Sequence, residues 1–287
     1  MGGSWPDIIS RARASGKPVL SYFEALGELS RLYKTIAISG THGKTTTTAM
    51  LSHTLKEAGI NPTAIVGSLA DFGDKGRTNF LAGGDEYFIV EACEYKRHFQ
   101  YFTPHIFVIT NIELDHPDYY RDLSDVQDAF RVVVEKSEIV VCDSKHKTVA
   151  PVIKNTKAKI IDISSYRNSV PELKLLGEHN KENASFVLAV ADVLHVLQEK
   201  AVGALKNFKG TWRRLEYKGK TKEGINVYDD YAHHPTEVRA SIKAVKEKHP
   251  DKNLTAIFEP HMYSRTRALL SDFSTAFDDA DKVIMLL

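Results

Sequence analysis

The stretch Thr35–Thr48, TIAISGTHGKTTTT, passes from a β-branched, apolar run into a loop bracketed by Gly40 and Gly43, and then into a helix start. That order suits the grip of a nucleoside triphosphate. Gly40 and Gly43 let backbone N–H groups of the loop, through Thr41, His42 and Thr46, approach phosphate oxygens; Lys44 reaches the outer phosphates; and the Thr45 hydroxyl sits on a magnesium ion. The helix that begins near Thr45 adds its positive dipole end. The spacing is Gly-x-x-Gly-Lys-Thr, shorter than the common GxxxxGK[ST], because the position five before Gly43 is Ile38. A bare GxxGKT is a weak signal. The preceding strand pattern and the helix-like TTTTAMLSHTLKEAG, with Gly59 placed to stop it, favour a phosphate cradle over a turn without function.

The 287 residues fit about two ordinary domains. Hydrophobic content of 43% and charged content of 26% are those of a soluble globular protein, with no secretory signal and no apolar run long enough to span a bilayer, so the expected address is cytoplasmic. With 38 basic and 37 acidic residues, the net charge of +1 gives no electrostatic reason to expect nucleic acid or an anionic membrane as partner. Cys93 and Cys142 lack both metal spacing and a disulfide framework, and core packing is the expectation for both.

Three segments follow from the patterning. Residues 1–33 read as a helix, PDIISRARASG, a Gly-Lys-Pro turn, a short VLS run and a second helix, YFEALGELSRLY, too little for a domain of its own. From Lys34 to about Asn207, the runs TIAIS, PTAIVGS, YFIVEACE, HIFVITNI, EIVVCD and KIIDIS alternate with helices, the rhythm of a wound, largely parallel sheet. NKENASFVLAVADVLHVL reads as a long amphipathic helix. After GTWRRLEYKG, the strands INVYDDY, NLTAIFE and KVIMLL alternate with helices as a second parallel sheet that stops on its third strand. The fold class is therefore α/β, with boundaries at 34–206 and 207–287.

Several polar groups fall at the carboxyl ends of strands, where such sheets place their chemistry. Glu91 ends YFIV, and beside a phosphate loop a magnesium or water-orienting role outweighs a solvated strand end. HIFVIT runs into Asn111, Glu113, Asp115, His116 and Asp118, a metal-competent turn in which Asp115 or Asp118 could equally cap the next helix. In GEHNKEN, Asn180 suits an N-cap with Asn183 in the first turn, yet the same amides could read an adenine edge, and the two readings stand even. Asp229-Asp230-Tyr231-Ala232-His233-His234 closes the INVY run before Pro235 opens a helix. His261, Tyr263, Arg265 and Arg267 follow NLTAIFE and suit an anionic ligand, or else a solvated basic helix start.

GTHGKTTTT at 40–48, EACE at 91–94, TNIELDH at 110–116, GEHNKEN at 177–183, GTWRR at 210–214, DDYAHHPTEV at 229–238 and FEPHMYSRT at 258–266 together resemble the Mur ligases of peptidoglycan synthesis. The resemblance implies a P-loop-type ATPase domain followed by a partial Rossmann-like domain, with residues 1–33 a remnant of an N-terminal UDP-binding domain and the C-terminal domain ending about half-way. It implies ATP and Mg2+, with UDP-N-acetylmuramate and L-alanine as substrates joined through an acyl phosphate. By resemblance, Lys44 holds the outer phosphates, Thr45 and Glu91 bind one magnesium ion, and His116 supports a second metal beside the substrate carboxylate. His179 and Asn183 resemble adenine contacts, while Arg214 and Asp230 reach the nucleotide across the cleft. His233 lies near the phosphate face, and His261, Tyr263 and Arg265 resemble the loop that receives alanine. EACEYKRHF departs from the EADES form of many relatives, and Pro117 stands where a larger apolar residue is more usual.

Within the family, the ligase that reattaches a recovered peptide shares GTHGKTT, but EPHMYSRT favours alanine addition. Folate polyglutamylation is more remote. An isolated ATP-binding module, unable to complete ligation as given, is the reading from a different class. Oligomeric state and the general base are not fixed by the sequence.

Overall fold

The computed structural model describes residues 5–73 and 76–286. Two helices, α1 (Trp5–Ala14) and α2 (Tyr22–Ser30), precede the sheet. Ser21 caps α2 in a capping box with Glu24, which satisfies two orphan N–H groups at its start.

β1 (Lys34–Ser39), β2 (Thr63–Asp71), β3 (Arg77–Leu81), β4 (Tyr87–Glu91), β5 (Ile106–Ile109), β6 (Ile139–Cys142) and β7 (Lys159–Asp162) form one sheet in the order β3-β2-β4-β1-β5-β6-β7. Every pairing is parallel except β2 with β3. The unbroken apolar runs follow from coverage of both faces. Along β1 the period of two is explicit: Ile36 and Ile38 enter one core, while Ala37 enters the other. The first core is closed by α3 (Lys44–Glu57), α6 (Glu178–Val193) and α7 (Gln198–Asn207). The second is closed by α4 (Leu123–Val134) and a cluster of Phe99, Phe107 and Phe130, with the short α5 (Ala150–Ile153) beside it.

The strand expectations of the first sheet are met, with β3 and α7 as additional elements. The second sheet differs. β9 (Asn226–Asp229), the expected INVY strand, pairs antiparallel with β8 (Glu216–Lys220), and β10 (Thr255–Phe258) pairs parallel with β11 (Lys282–Met285) as a separate ribbon. The reason is local. A turn through Thr221–Gly224, where the Gly224 N–H meets the Thr221 carbonyl, returns the chain directly onto the LEYKG segment. α8 (Pro235–Lys248) connects the two ribbons, α9 (Tyr263–Ala268) and α10 (Leu270–Phe273) connect β10 to β11, and a small core gathers Val238, Ile242, Phe258, Phe273 and Ala276.

Two capping expectations are corrected. α6 begins at Glu178 with Gly177 as its cap, so Asn180 lies inside the first turn, where its Nδ2 donates to the Leu176 carbonyl at 2.7 Å. α4 is capped by Asp122, which accepts from the Asp125 N–H, and not by Asp115 or Asp118.

Phe130 is fully buried, with Phe99 edge-on at 4.8 Å between ring centroids. Phe130→Ala is expected to lower the unfolding free energy by about 3–5 kcal/mol, read by urea denaturation.

Candidate active site

β1, β4 and β5 all end at the same edge of the sheet, and their carboxyl ends deliver the loop 40–43, Glu91 and the segment 110–116 to one place. The loop is drawn against the segment after β5 so closely that only glycine fits at 40: a Cβ there would lie 2.1 Å from Thr110 Oγ1. The Glu113 N–H donates to Thr41 Oγ1 at 2.8 Å, and the His42 N–H donates to Asn111 Oδ1 at 2.8 Å. Gly43, at φ +80, caps α3, and a Cβ on it would meet Asn183 Oδ1 at 2.5 Å.

Lys44 bends back over its own loop. Its Nζ donates to the carbonyl oxygens of Gly40 and Thr41 and to Glu94 Oε1 at 3.1 Å. Burial opposes the charge, but the Glu94 carboxylate overrides it and raises the lysine above its ordinary value. Thr45 Oγ1 donates to Glu91 Oε1 at 2.9 Å, and the other Glu91 oxygen accepts from the Gly67 N–H at 2.7 Å. A hydroxyl and a carboxylate oxygen at that separation, beside a phosphate loop, form a donor set that fits a hard divalent cation.

His116 holds a left-handed backbone, φ +55, an uncommon conformation for a side chain of its size. Its Nε2 lies 3.6 Å from Asp115 Oδ2 and 3.8 Å from Glu94 Oε1, and its buried Nδ1 has no hydrogen-bond partner among the described residues. Burial lowers its basicity, so the ring is predominantly neutral near pH 7 and retains a lone pair for a metal. Asp115 also receives both prongs of Arg265, at 2.7 and 3.2 Å. Burial would raise this carboxyl, but the guanidinium holds it well below the usual range.

The C-terminal segments form the opposite wall of a cleft of about 540 Å³, lined among others by Lys44, His116, His179, Asn183, Arg214 and Asp230. Arg214 reaches across, its Nη2 donating to Thr45 Oγ1 at 3.1 Å. Burial raises the Asp230 carboxyl, which accepts from the Ser241 hydroxyl. Burial lowers both His179 and His233. The His233 and His261 rings stand 6.1 Å apart, each near Tyr231.

Of the residues expected from sequence, the 41–46 loop, His116, His179, Asn183, Arg214, Asp230, His233, His261 and Arg265 line this one cleft, and Glu91 is tied to it through Thr45. Tyr263 does not line it; it is 80% exposed. Sequence reasoning passed over Glu94 and Glu237. Glu94, 2% exposed, joins Lys44 to the His116 turn, and its signal is the second carboxylate of EACE. Glu237 is marked by its place three residues after His234, the position of a capping-box carboxylate.

The Mur ligase middle domain matches residues 38–170, and the Mur ligase, glutamate ligase domain matches 213–286. The UDP-N-acetylmuramate--L-alanine ligase of Desulfitobacterium hafniense is 39% identical over 304 residues, covering 96% of this chain and 67% of that protein. The chain spans about two thirds of the length of the curated relatives it matches. Among solved structures, a UDP-N-acetylmuramate-alanine ligase from Thermotoga maritima superposes with a TM-score of 0.76 at 28% identity, over 98% of this chain and 68% of that one. A MurF ligase from Thermotoga maritima, solved in complex with ADP, has a TM-score of 0.70 at 15% identity over 94% of this chain and 71% of that one, a likeness of fold alone.

Arg265→Ala would leave Asp115 buried and unpaired, and a loss of about 3–5 kcal/mol of stability is expected, with part recovered by adding Asp115→Asn. Denaturation of the two variants checks this.

Proposed function

The chain belongs to the Mur ligase family, and from that premise we propose that it carries the Mg-ATP-dependent chemistry of a UDP-N-acetylmuramate--L-alanine ligase. The observation that carries this reading is the Thr45 hydroxyl set 2.9 Å from Glu91 at the head of the phosphate loop, with Arg214 closing on it from the other wall. We read residues 34–206 as the ATP-binding domain and 207–287 as the domain that closes over it. No helix among the described residues is long and apolar enough to cross a membrane.

In the proposed reaction a substrate carboxylate oxygen attacks the γ-phosphorus of ATP, the bond to ADP breaks, and an acyl phosphate forms. The amine of L-alanine then attacks the acyl carbon, loses a proton and expels phosphate, leaving the amide. No protein nucleophile is needed; positioning and charge neutralisation suffice. Thr45 and Glu91 would hold magnesium, which neutralises phosphate charge when bound, and neutral His116 would hold a second metal. Lys44 would exchange the carbonyls of Gly40 and Thr41 for the outer phosphates, with Glu94 as its tether. His179 and Asn183 would contact the adenine, and Arg214 and Asp230 would reach the nucleotide from the other wall; all four line the cleft. His261 would face the acceptor amine, with His233 near the phosphate face. Arg265 is already engaged by Asp115, so its service to alanine would be to hold that wall in place.

Lys44→Ala should weaken Mg-ATP binding by on the order of 2 kcal/mol, as expected for one charge-assisted contact. Glu91→Gln should blunt the magnesium dependence of nucleotide binding with little change in melting temperature. Calorimetric titration reads both. Equal affinity in wild type and Lys44→Ala would overturn the nucleotide reading, and ADP release that requires a recovered peptide in place of L-alanine would move the assignment to the recycling type of ligase.

A further inference from the structure

One cluster at the cleft is left without a task by the proposed reaction: His42, Glu113, His234 and Glu237. The side chain of His42 stands between two carboxylates from different parts of the chain. Its Nδ1 is 3.1 Å from Glu237 Oε1 on the first turn of α8, and its Nε2 is 3.3 Å from Glu113 Oε2 after β5. Carboxylates only accept, so both contacts are hydrogen bonds only if both ring nitrogens carry protons. A neutral ring would leave one lone pair facing a carboxylate in a half-buried site.

We propose that His42 is a positioning residue whose imidazolium couples the phosphate loop to the 229–238 segment, so that the wall bearing Asp230 and His233 is seated by the loop that holds the phosphates. This rests on the nucleotide reading of that loop. The coupling path is short and made of hydrogen bonds at every link. The backbone of His42 is fixed to the end of β5, through its N–H to Asn111 Oδ1 at 2.8 Å and through its carbonyl, which accepts from Thr110 Oγ1 at 2.6 Å and Asn111 Nδ2 at 3.0 Å. Its ring holds Glu237 Oε1, while Glu237 Oε2 accepts from the N–H groups of His233 at 3.0 Å and His234 at 3.3 Å. A displacement of the loop is therefore passed to the backbone on which His233 is mounted. A parallel strut runs from Thr236 Oγ1 to Glu113 Oε2 at 2.9 Å.

The charges facing His42 come from each element packed against it. Glu113 follows β5, Glu237 lies on α8, and the His234 ring is 4.6 Å away, centroid to centroid, and is itself kept neutral chiefly by burial. For His42 burial acts to lower the value, but the two carboxylates outweigh it and lift the imidazole to about 9. Glu113 falls to about 2, chiefly through its bond to His42. A histidine raised in this way contributes stability fully present below its unfolded value near 6.5 and lost as pH rises through about 9.

The test uses the 287-residue chain with isotope-labelled histidine. An NMR titration is expected to give His42 a midpoint above about 8, falling by about one unit or more in Glu237→Gln or Glu113→Gln. Gln at 237 keeps the capping oxygen for His233 and His234, so the helix start survives the substitution. Mg-ATP affinity should decline from about pH 7 to pH 9.5 in wild type and be flat with pH in His42→Gln. In the double-mutant cycle of His42→Gln with Glu237→Gln, the affinity losses should fall short of the product of the single losses by about fivefold or more. A His42 midpoint near 6.5, or additive losses, would overturn the proposal. Micromolar Zn2+ shifting the His42 and His234 resonances, with the ring found neutral beforehand, would overturn it in favour of a metal site. Failure of the wild-type chain to bind Mg-ATP, with the elevated midpoint and its dependence on Glu237 intact, would refute the nucleotide reading and leave the bridge standing as a domain-seating contact.

Discussion

The constraint on which the site depends is the absence of a side chain at Gly40. At that point the phosphate loop lies against the end of β5 so closely that Thr110 Oγ1 occupies the place of a Cβ. The same approach lets Thr41 exchange hydrogen bonds with the backbone of Glu113 and lets the Asn111 amide hold both the N–H and the carbonyl of His42. Loop and β5 extension thereby form one body. Lys44, Thr45, Asp115 and His116 acquire fixed relative positions although they come from different strands. A larger residue at 40 would part the two segments before it altered any charge.

With that body in place, the electrostatics follow from crowding of opposite charges in a low-dielectric cleft. Three cations are held by carboxylates: Lys44 by Glu94, Arg265 by Asp115, and His42 by Glu113 and Glu237. Each carboxylate stands on an element other than that of its partner, so the pairs are cross-ties and not local decoration. Burial works against every one of these charges taken singly, and the pairing reverses the outcome for the lysine and the histidine. The neighbouring His116, His179 and His233, where burial prevails, stay less basic than usual. The cleft thus separates histidines by partner: His42, with a carboxylate at each ring nitrogen, is charged, whereas the carboxylates near His116 stand 3.6 and 3.8 Å from one nitrogen and already hold Arg265 and Lys44, so burial prevails there.

Much of this was legible in the sequence, for physical reasons that can be named. β1, β4, β5 and β6 are apolar on both faces, so their runs are continuous and their order with helices fixes a wound sheet. The phosphate loop, and the residues following β4 and β5, were found because strand ends in such sheets are where polar groups escape the core. What escaped notice depended on long-range pairing or on surface chemistry. β3 is largely exposed and is held by antiparallel pairing to β2, which no local periodicity announces. β8 reads as a basic, glycine-bearing stretch, and only its partner β9 makes it a strand. Asn180 has the chemistry of a cap, yet Gly177, at φ +89, turns the chain three residues earlier. Glu94 and Glu237 carry only local signals, the second carboxylate of EACE and a capping-box position, while their meaning lies in the cations that face them from distant segments.

On the nucleotide reading proposed above, the paired cations also set what a bound triphosphate would have to overcome. Lys44 is satisfied by two carbonyls and a carboxylate, and Arg214 donates to Thr45. A nucleotide therefore competes with existing hydrogen bonds and does not meet bare charge. Glu94 is buried and does not line the cleft, and its backbone carbonyl accepts from the Tyr120 hydroxyl, so it can retain the ammonium while the loop carbonyls release it. The exchange is then of neutral acceptors for charged phosphate oxygens, which favours the ligand because bonds to an ionised acceptor are roughly twice as strong as neutral ones. Removal of the tethering carboxylate would free the lysine but leave it without a fixed direction, and the selectivity of the loop for a correctly placed outer phosphate would be lost along with the restraint.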